Sequence, residues 1–218
     1  MREFKIAHMY GNLLNTYGDN GNLLMLKYCA RKKGFKVTSE VISLGDDFKA
    51  EDYDLVFIGG GQDLEQEVVS ADIMAKKDSL QRYIEDGGVT VGICGGYQLL
   101  GEYYVNAQNK KIPGTGILKL RTETQDNNRF IGNITIHNEE FDETYSGFEN
   151  HNGMTYILDD KIKPLGTVIE GHGNNGFDKS EGIHYKNVFC SYLHGPPLVR
   201  NPHLAERIID IAIERMEK

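Results

Sequence analysis

Cysteine and metal-binding patterns are scarce in this 218-residue sequence, which has no tryptophan and only three cysteines, Cys29, Cys94 and Cys190. The cysteines form no C-x-x-C pair and leave an odd one, so neither a disulfide framework nor a zinc site is predicted. Histidine pairs with H-x-x-x-H spacing are also missing. We therefore expect neither a metal nor a cofactor.

Long apolar runs and excess positive charge are missing as well. Nothing approaches the roughly 18 consecutive apolar residues of a membrane-spanning helix, and residues 1–9 lack the apolar core of a signal peptide. The net charge of −8 argues against nucleic acid or an anionic membrane as the main partner. We expect a cytoplasmic protein without membrane insertion, in which residues 1–218 form one domain.

Apolar, β-branched runs alternate with helical patterns in the first hundred residues. Strands are predicted at 4–9, 37–42, 55–58 and 89–93, and helices at 22–33 and, in two pieces, at 63–86. This alternation predicts a three-layer α/β fold around a mostly parallel, doubly wound sheet. Ligands of such sheets bind at the carboxyl ends of the strands.

In the second half, predicted strands are separated by turn-rich segments instead of helices, which predicts an antiparallel extension of the sheet. Strands are expected at 117–124, 129–136 and 168–170, with a hairpin formed by 182–185 and 188–193. The Gly- and Asn-rich segments 148–153 and 171–176 are expected to be irregular loops. A last helix is expected after Asn201, with Pro202 at its first position.

The stretch Gly92-Ile-Cys-Gly-Gly96 stands between a predicted strand and a predicted helix. Its spacing is that of the nucleophile elbow G-x-S-x-G, with a thiol in place of the hydroxyl. A helix N-terminus and a nearby imidazolium would both favour the thiolate of Cys94. The alternative is that Cys94 is a small buried apolar residue, as most free cysteines are.

Two further features end predicted strands. Gly59-Gly60-Gly61 is either a loose loop or a place where backbone N–H groups approach a ligand closely. Among the seven histidines, His194 follows the last apolar strand and is the first choice as the base, unless it merely ends that strand. His151 and His172 are second choices, as substrate contacts.

The segments Gly92-Ile-Cys-Gly-Gly-Tyr-Gln-Leu-Leu-Gly101 and Tyr192-Leu-His-Gly195 resemble the class I glutamine amidotransferases, and in particular their cobyric acid synthase-like branch. Segments 18–22, 148–153 and 173–176 narrow the resemblance to glutaminase subunits that serve cell-wall synthesis. The resemblance covers essentially the whole chain. It implies that Cys94 is the nucleophile and His194 the base of glutamine hydrolysis.

The resemblance implies roles for four more residues: the N–H groups of Gly60 and Gly95 in the oxyanion hole, and the side chains of Gln98 and Arg129 in contact with glutamine. A guanidinium can pair bidentately with the α-carboxylate of glutamine, which suits Arg129. A solvated arginine at a strand end is the alternative for that residue.

The resemblance also implies a partner. Ammonia would pass to a separate, Mur-ligase-like ATP-dependent synthetase subunit, in a heterodimer. The synthetase would amidate D-glutamate of the lipid II stem peptide to D-isoglutamine. The sequence agrees in one respect, because it has no G-x-x-x-x-G-K-[S/T] loop for ATP.

One position departs from the pattern of the class. Many members carry a glutamate two residues after the histidine, where it orients the imidazole, and this chain has Pro196 there. Either a dyad suffices, or the acid comes from elsewhere in the chain, or a partner subunit donates it; we favour the partner.

Other assignments remain open on the same fold. The chain could be a glutaminase for another, cobyric acid synthase-like amidotransferase. It could be a γ-glutamyl hydrolase or peptidase that needs no partner, or an inactive regulatory module.

Overall fold

The computed structural model describes residues 2–125 and 128–217, with the backbone alone at Tyr17. The α-helices are α1 (Asn20–Lys32), α2 (Asp63–Glu85), α3 (Gly95–Leu100), α4 (Pro197–Arg200) and α5 (Pro202–Met216). The strands are β1 (Glu3–Met9), β2 (Lys36–Ile42), β3 (Leu55–Ile58), β4 (Val89–Ile93), β5 (Tyr103–Val105), β6 (Lys111–Pro113), β7 (Leu120–Thr124), β8 (Phe130–Asn138), β9 (Glu143–His151), β10 (Gly153–Ile157), β11 (Gly166–Glu170), β12 (Ser180–Glu181), β13 (Ile183–Tyr185) and β14 (Val188–Ser191).

The central sheet has six strands in the order β13-β14-β4-β3-β1-β2. All its pairs are parallel except the hairpin of β13 and β14. This confirms the predicted α/β fold. Strands β3, β4 and β14 are neighbours, so the segments that follow Ile58, Ile93 and Ser191 emerge side by side at one edge.

Helices cover both faces of this sheet. Along β1, Phe4 and Ile6 pack on the face that α1 and α5 cover, whereas Ala7 and Met9 pack on the face of α2 and α3. The alternation follows from the period of two of a strand. Strands β3 and β4 are buried at every residue, as expected for central parallel strands with two covered faces.

Other strands of the second half form two further sheets of four strands, in the orders β10-β7-β5-β6 and β12-β11-β8-β9, in which the pair β5 and β7 is parallel and the others are antiparallel. In residues 2–125 and 128–217, only the hairpin of β13 and β14 extends the central sheet. Among the residues that the structure describes, no helix has the length and apolar composition needed to cross a membrane.

Two local expectations were wrong. The helical segment after Asp63 is one continuous helix, α2, because a buried stripe from Gln66 to Ile84 holds it against the sheet. Segment 148–153 is not an irregular loop, since β9 runs to His151 and β10 begins at Gly153. Pairing of β9 with β8, in which His151 lies opposite Phe130, and of β10 with β7, in which Gly153 lies opposite Thr124, overrides the low strand propensity of asparagine and glycine.

Candidate active site

Cys94 occupies a tight turn between β4 and α3. Its φ of 50° and ψ of −103° lie outside the regions that L residues favour. The glycines around it are required by space: a Cβ on Gly96 would lie 2.4 Å from the carbonyl oxygen of Ile58, and one on Gly92 would lie 2.9 Å from Cys190 Sγ. The predicted strand, turn and helix are confirmed.

The triple glycine after β3 lies under the loop that precedes α1. A Cβ on Gly59 would meet the Leu14 carbonyl oxygen at 2.3 Å, and one on Gly61 would meet Leu14 Cδ2 at 2.4 Å. Close packing of this loop therefore accounts for two of the three glycines, an explanation that the sequence did not suggest.

Gly60 lies against Cys94, since a Cβ there would be 3.2 Å from Cys94 Cβ. Its N–H group, expected in the oxyanion hole, donates a hydrogen bond of 2.6 Å to Asp19 Oδ2. Asp19 is fully buried, and burial raises the pKa of its carboxyl to about 7, against the opposing hydrogen bonds from Gly60 and Asn22.

His194 follows β14 and is held by backbone bonds to β9. Its N–H donates to the Phe148 carbonyl at 2.7 Å, and its carbonyl accepts from the Phe148 N–H at 3.1 Å. The Cys94 N–H donates to the carbonyl of Ser191, three residues before the histidine, at 2.9 Å. Cysteine and histidine thus leave adjacent parallel strands at the same edge.

Electrostatics keep both groups neutral before substrate binds. Burial and, to a smaller extent, the positive charge of Arg129 lower the pKa of His194 to about 4. Burial and, to a smaller extent, the Asp19 carboxylate raise the pKa of the Cys94 thiol to about 12. Arg129 and a hydrogen bond from the Gly95 N–H lower the pKa of the thiol, but by less. The resting pair is a thiol and a neutral imidazole, whereas the sequence led us to expect a thiolate.

Arg129 stands just before β8 with an exposed side chain. Its Nε and one terminal nitrogen donate to the side chain and the backbone carbonyl of Asn150, the latter at 3.0 Å. The guanidinium charge acts on both Cys94 and His194. It is therefore anchored where a carboxylate next to the thiol would meet it.

Gln98 belongs to a buried chain of hydrogen bonds. Gln66 Nε2 donates to Gln98 Oε1 at 2.8 Å, and Gln98 Nε2 donates to the Tyr192 hydroxyl at 3.1 Å. One N–H of the Gln98 amide is left for a ligand. Sequence reasoning missed Gln66, whose only signal is a polar residue within the buried stripe of α2.

His151 faces the same region. Its Nδ1 lies 2.8 Å from the Gly153 carbonyl oxygen, so Nδ1 carries the proton and Nε2 is an acceptor. Within the described part of the chain, Nε2 has no hydrogen-bond partner, and the ring is 2% exposed. Burial lowers the pKa of His151 to about 3, so the ring stays neutral. His172 instead stacks on Phe130, with ring centroids 4.4 Å apart.

A cavity of about 880 Å³ opens over the turn. Its lining includes Cys94, Gln98, Arg129 and His151. Gly60, Gly95 and His194 are not among the lining residues. The size is within the range of small-molecule sites. In the described ranges, no group of three or more His, Cys, Asp or Glu side chains could hold a metal ion.

The fold is that of the glutamine amidotransferases. A crystal structure of a glutamine amidotransferase aligns over 94% of this chain and 98% of its own, with a TM-score of 0.61 at 15% identity. The glutaminase domain of Trypanosoma brucei CTPS with bound acivicin aligns over 97% and 94%, with a TM-score of 0.57 at 11% identity.

The sequence specifies the family. The model of the CobB/CobQ-like glutamine amidotransferase domain matches residues 5–202. The chain therefore belongs to the CobB/CobQ-like glutamine amidotransferases.

Two curated relatives match almost the full chain. The lipid II isoglutaminyl synthase (glutamine-hydrolyzing) subunit GatD of Streptococcus pneumoniae is 57% identical over 213 residues, which are 98% of this chain and 82% of the relative. The subunit of the same name from Staphylococcus aureus is 40% identical over 215 residues, or 99% and 86%. A probable cobyric acid synthase of Methanocaldococcus jannaschii is 35% identical, but over 63% of this chain and 29% of its own length.

Proposed function

We propose that this chain is the cytoplasmic glutaminase subunit of a lipid II isoglutaminyl synthase and hydrolyses L-glutamine to glutamate and ammonia. The observation that carries the proposal is the strained Cys94 turn next to the strand that leads to His194, with the charge of Arg129 acting on both. The relatives at 57% and 40% identity support the same assignment.

Arg129 and His151 would hold the two ends of the amino acid group of glutamine. The guanidinium pairs with the α-carboxylate, and the unprotonated Nε2 of His151 accepts a hydrogen bond from the α-ammonium. The free N–H of Gln98 donates to the substrate. These contacts place the side-chain amide over Cys94, which converts attack by the thiol into a step within one complex.

The neutral resting pair determines how the thiol attacks. Cys94 Sγ bonds to the amide carbon while its proton moves to His194, whose imidazole is unprotonated in the resting site. The N–H groups of Gly95 and Gly60 would hold the oxyanion. The C–N bond then breaks, and His194 gives its proton to the leaving nitrogen to form ammonia. Water, deprotonated by His194, attacks the thioester, and glutamate leaves as the thiol is restored.

The ammonia would go to a Mur-ligase-like ATP-dependent subunit, which amidates D-glutamate of the lipid II stem peptide. We also propose that this partner supplies the acid that orients His194. Pro196, at the position of the usual glutamate, packs tightly on α1, since a Cβ on Gly21 would lie 2.4 Å from Pro196 Cγ. Equal turnover by the isolated chain and the heterodimer would contradict this assignment of the acid.

A glutaminase assay on Cys94→Ser tests the function, with Cys29→Ser as the matched control because Cys29 is buried in α1 away from the cavity. We expect Cys94→Ser to reduce ammonia release by at least about 10³-fold and the control to change it little. Glutaminase activity retained in Cys94→Ser would contradict the assignment of Cys94 as the nucleophile. Activity on γ-glutamyl peptides without a partner would favour the hydrolase alternative, and amidation of a corrinoid carboxylate the cobyric acid synthase alternative.

A further inference from the structure

Asp19, which the proposed mechanism does not use, is a buried carboxylate beside the nucleophile. It lies at the N-terminus of α1 and is 0% exposed. Its Oδ2 accepts the Gly60 N–H at 2.6 Å, and its Oδ1 accepts from Asn22 Nδ2 at 3.2 Å. A hydrogen bond to an ionised acceptor is about twice as strong as a neutral one.

The loop that precedes α1 also binds the carbonyl group of Gly60. The Thr16 N–H donates to the Gly60 carbonyl at 2.9 Å, and Thr16 lines the cavity. Both hydrogen-bonding groups of Gly60 are therefore engaged by residues 16–19. A substrate oxygen has to compete with this loop for the Gly60 N–H.

The location of Asp19 makes the competition relevant to catalysis. A Cβ on Gly60 would lie 3.2 Å from Cys94 Cβ and 3.3 Å from Asp19 Oδ2, so the carboxylate and the nucleophile flank one residue. The negative charge of Asp19 also opposes ionisation of the thiol. Both effects work against attack on glutamine.

We propose that Asp19 controls access to the oxyanion hole: its carboxylate occupies the Gly60 N–H in place of the substrate oxygen and must release it before the oxyanion is bound by both backbone donors. This inference rests on the proposed function, because it takes Gly60 to be an oxyanion donor. Asp19 is thus a positioning residue that acts through Gly60.

The contact extends to α4, which begins three residues after His194. Asn22, which donates to Asp19, accepts the Leu198 N–H through its Oδ1 at 2.9 Å. The Asp19–Asn22 pair therefore connects the Gly60 peptide to the segment that begins at His194. A displacement of that segment pulls on the hydrogen bond that occupies Gly60.

The test compares two reagents on the full-length isolated chain. 6-Diazo-5-oxo-L-norleucine places its ketone oxygen where the glutamine amide oxygen would lie; its diazo carbon takes up a proton, and the Cys94 sulfur displaces N₂. Iodoacetamide alkylates the thiol, with loss of iodide, and needs no oxyanion hole. We divide the inactivation rate constant of the diazo reagent by that of iodoacetamide. This ratio separates access to the Gly60 N–H from the general reactivity of the thiol.

We expect Asp19→Ala to raise this ratio by about 10-fold or more, because one backbone oxyanion donor is typically worth about 10²–10³ in rate. Asp19→Asn keeps an acceptor but loses the charge, so we expect a smaller rise, of roughly 3-fold. Asn15→Ala is the matched control, because Asn15 caps Asn20 N–H in the same loop and is exposed. Its ratio should equal that of the wild type.

An unchanged or lower ratio in Asp19→Ala overturns the proposal, and a lower one would mean that Asp19 holds Gly60 in its active position. If Asp19→Ala does not fold, Asp19→Asn decides in the same way. Failure of the proposed function gives a different result, since the diazo reagent would then not label Cys94 in the wild type. If the reagent labels the wild type but the ratio is unchanged in the variants, the proposed role of Asp19 is contradicted while the proposed function is not.

Discussion

Cys94 stores backbone strain, and replacing it with glycine should release that strain. At φ 50° and ψ −103° a Cβ is unfavourable, whereas glycine adopts positive φ without this penalty. Alanine keeps the Cβ but loses the sulfur. The comparison of Cys94→Gly with Cys94→Ala therefore isolates the strain from the loss of the thiol.

The expected difference follows from two opposing terms. A residue held in such a conformation costs about 1–3 kcal/mol. Glycine in place of alanine ordinarily destabilises an element by about 0.5–1 kcal/mol through the entropy of the unfolded chain. We expect Cys94→Gly to be more stable than Cys94→Ala by about 1 kcal/mol, or roughly 2–4 °C in Tm for a chain of this size.

Urea titrations followed by circular dichroism measure this difference in the free energy of unfolding. The control is the same pair of substitutions at Cys29, in the interior of α1, where glycine should be less stable than alanine by about 1 kcal/mol. The reasoning is refuted if position 94 shows the same order as position 29. The turn would then not be strained, and its geometry would need another cause.

Three further predictions concern substrate binding, pH and packing. Arg129→Lys keeps the charge but loses bidentate pairing, so the KM for glutamine should rise about 10- to 100-fold with kcat little changed. Burial raises the pKa of Glu181 from 4.5 to about 8, so the folded protein holds this proton more tightly than the unfolded chain does. The resulting contribution to the free energy of unfolding is complete below pH 4.5 and is lost as the pH rises through 8. Urea titrations of Glu181→Gln should therefore show its stability relative to the wild type increasing over that range; a constant difference contradicts the shift. Gly96→Ala places a Cβ 2.4 Å from the Ile58 carbonyl oxygen, and should lower the free energy of unfolding by about 1–3 kcal/mol.

The sequence was sufficient for the parts of the site that local patterns encode. A β-branched run, small residues around Cys94 and a helical pattern predict the strand, turn and helix, and parallel strands then bring their carboxyl ends to one edge. This reasoning also placed the segment with His194 at that edge. It could not predict β9 and β10, because their Asn- and Gly-rich ends are held by pairing, of β9 with β8 and of β10 with β7, rather than by propensity.

Long-range effects explain why the sequence could not predict the role of Asp19 or the ionisation state of the Cys94 thiol. Asp19 is 41 residues from Gly60 in the chain, and a G-D-N-G segment ordinarily predicts only a turn. The pKa of Cys94 depends on burial and on charges from other elements, which cancel the effect of the helix N-terminus. Sequence reasoning counted the favourable helix and left out the unfavourable desolvation.

On the proposed mechanism, three features of this chain would slow glutamine hydrolysis. The Cys94 thiol is protonated, His194 has no acid at position 196 to orient it, and the Gly60 donor is occupied by Asp19. Each lowers the rate through a different group, so no single local change would remove all three. Two of them are connected, however, because Asn22 links Asp19 to Leu198 in α4, directly after the loop that carries Pro196. A synthetase that docks on this loop could supply the acid and displace the carboxylate in one movement, and glutamine would then be hydrolysed only where the ammonia can be used.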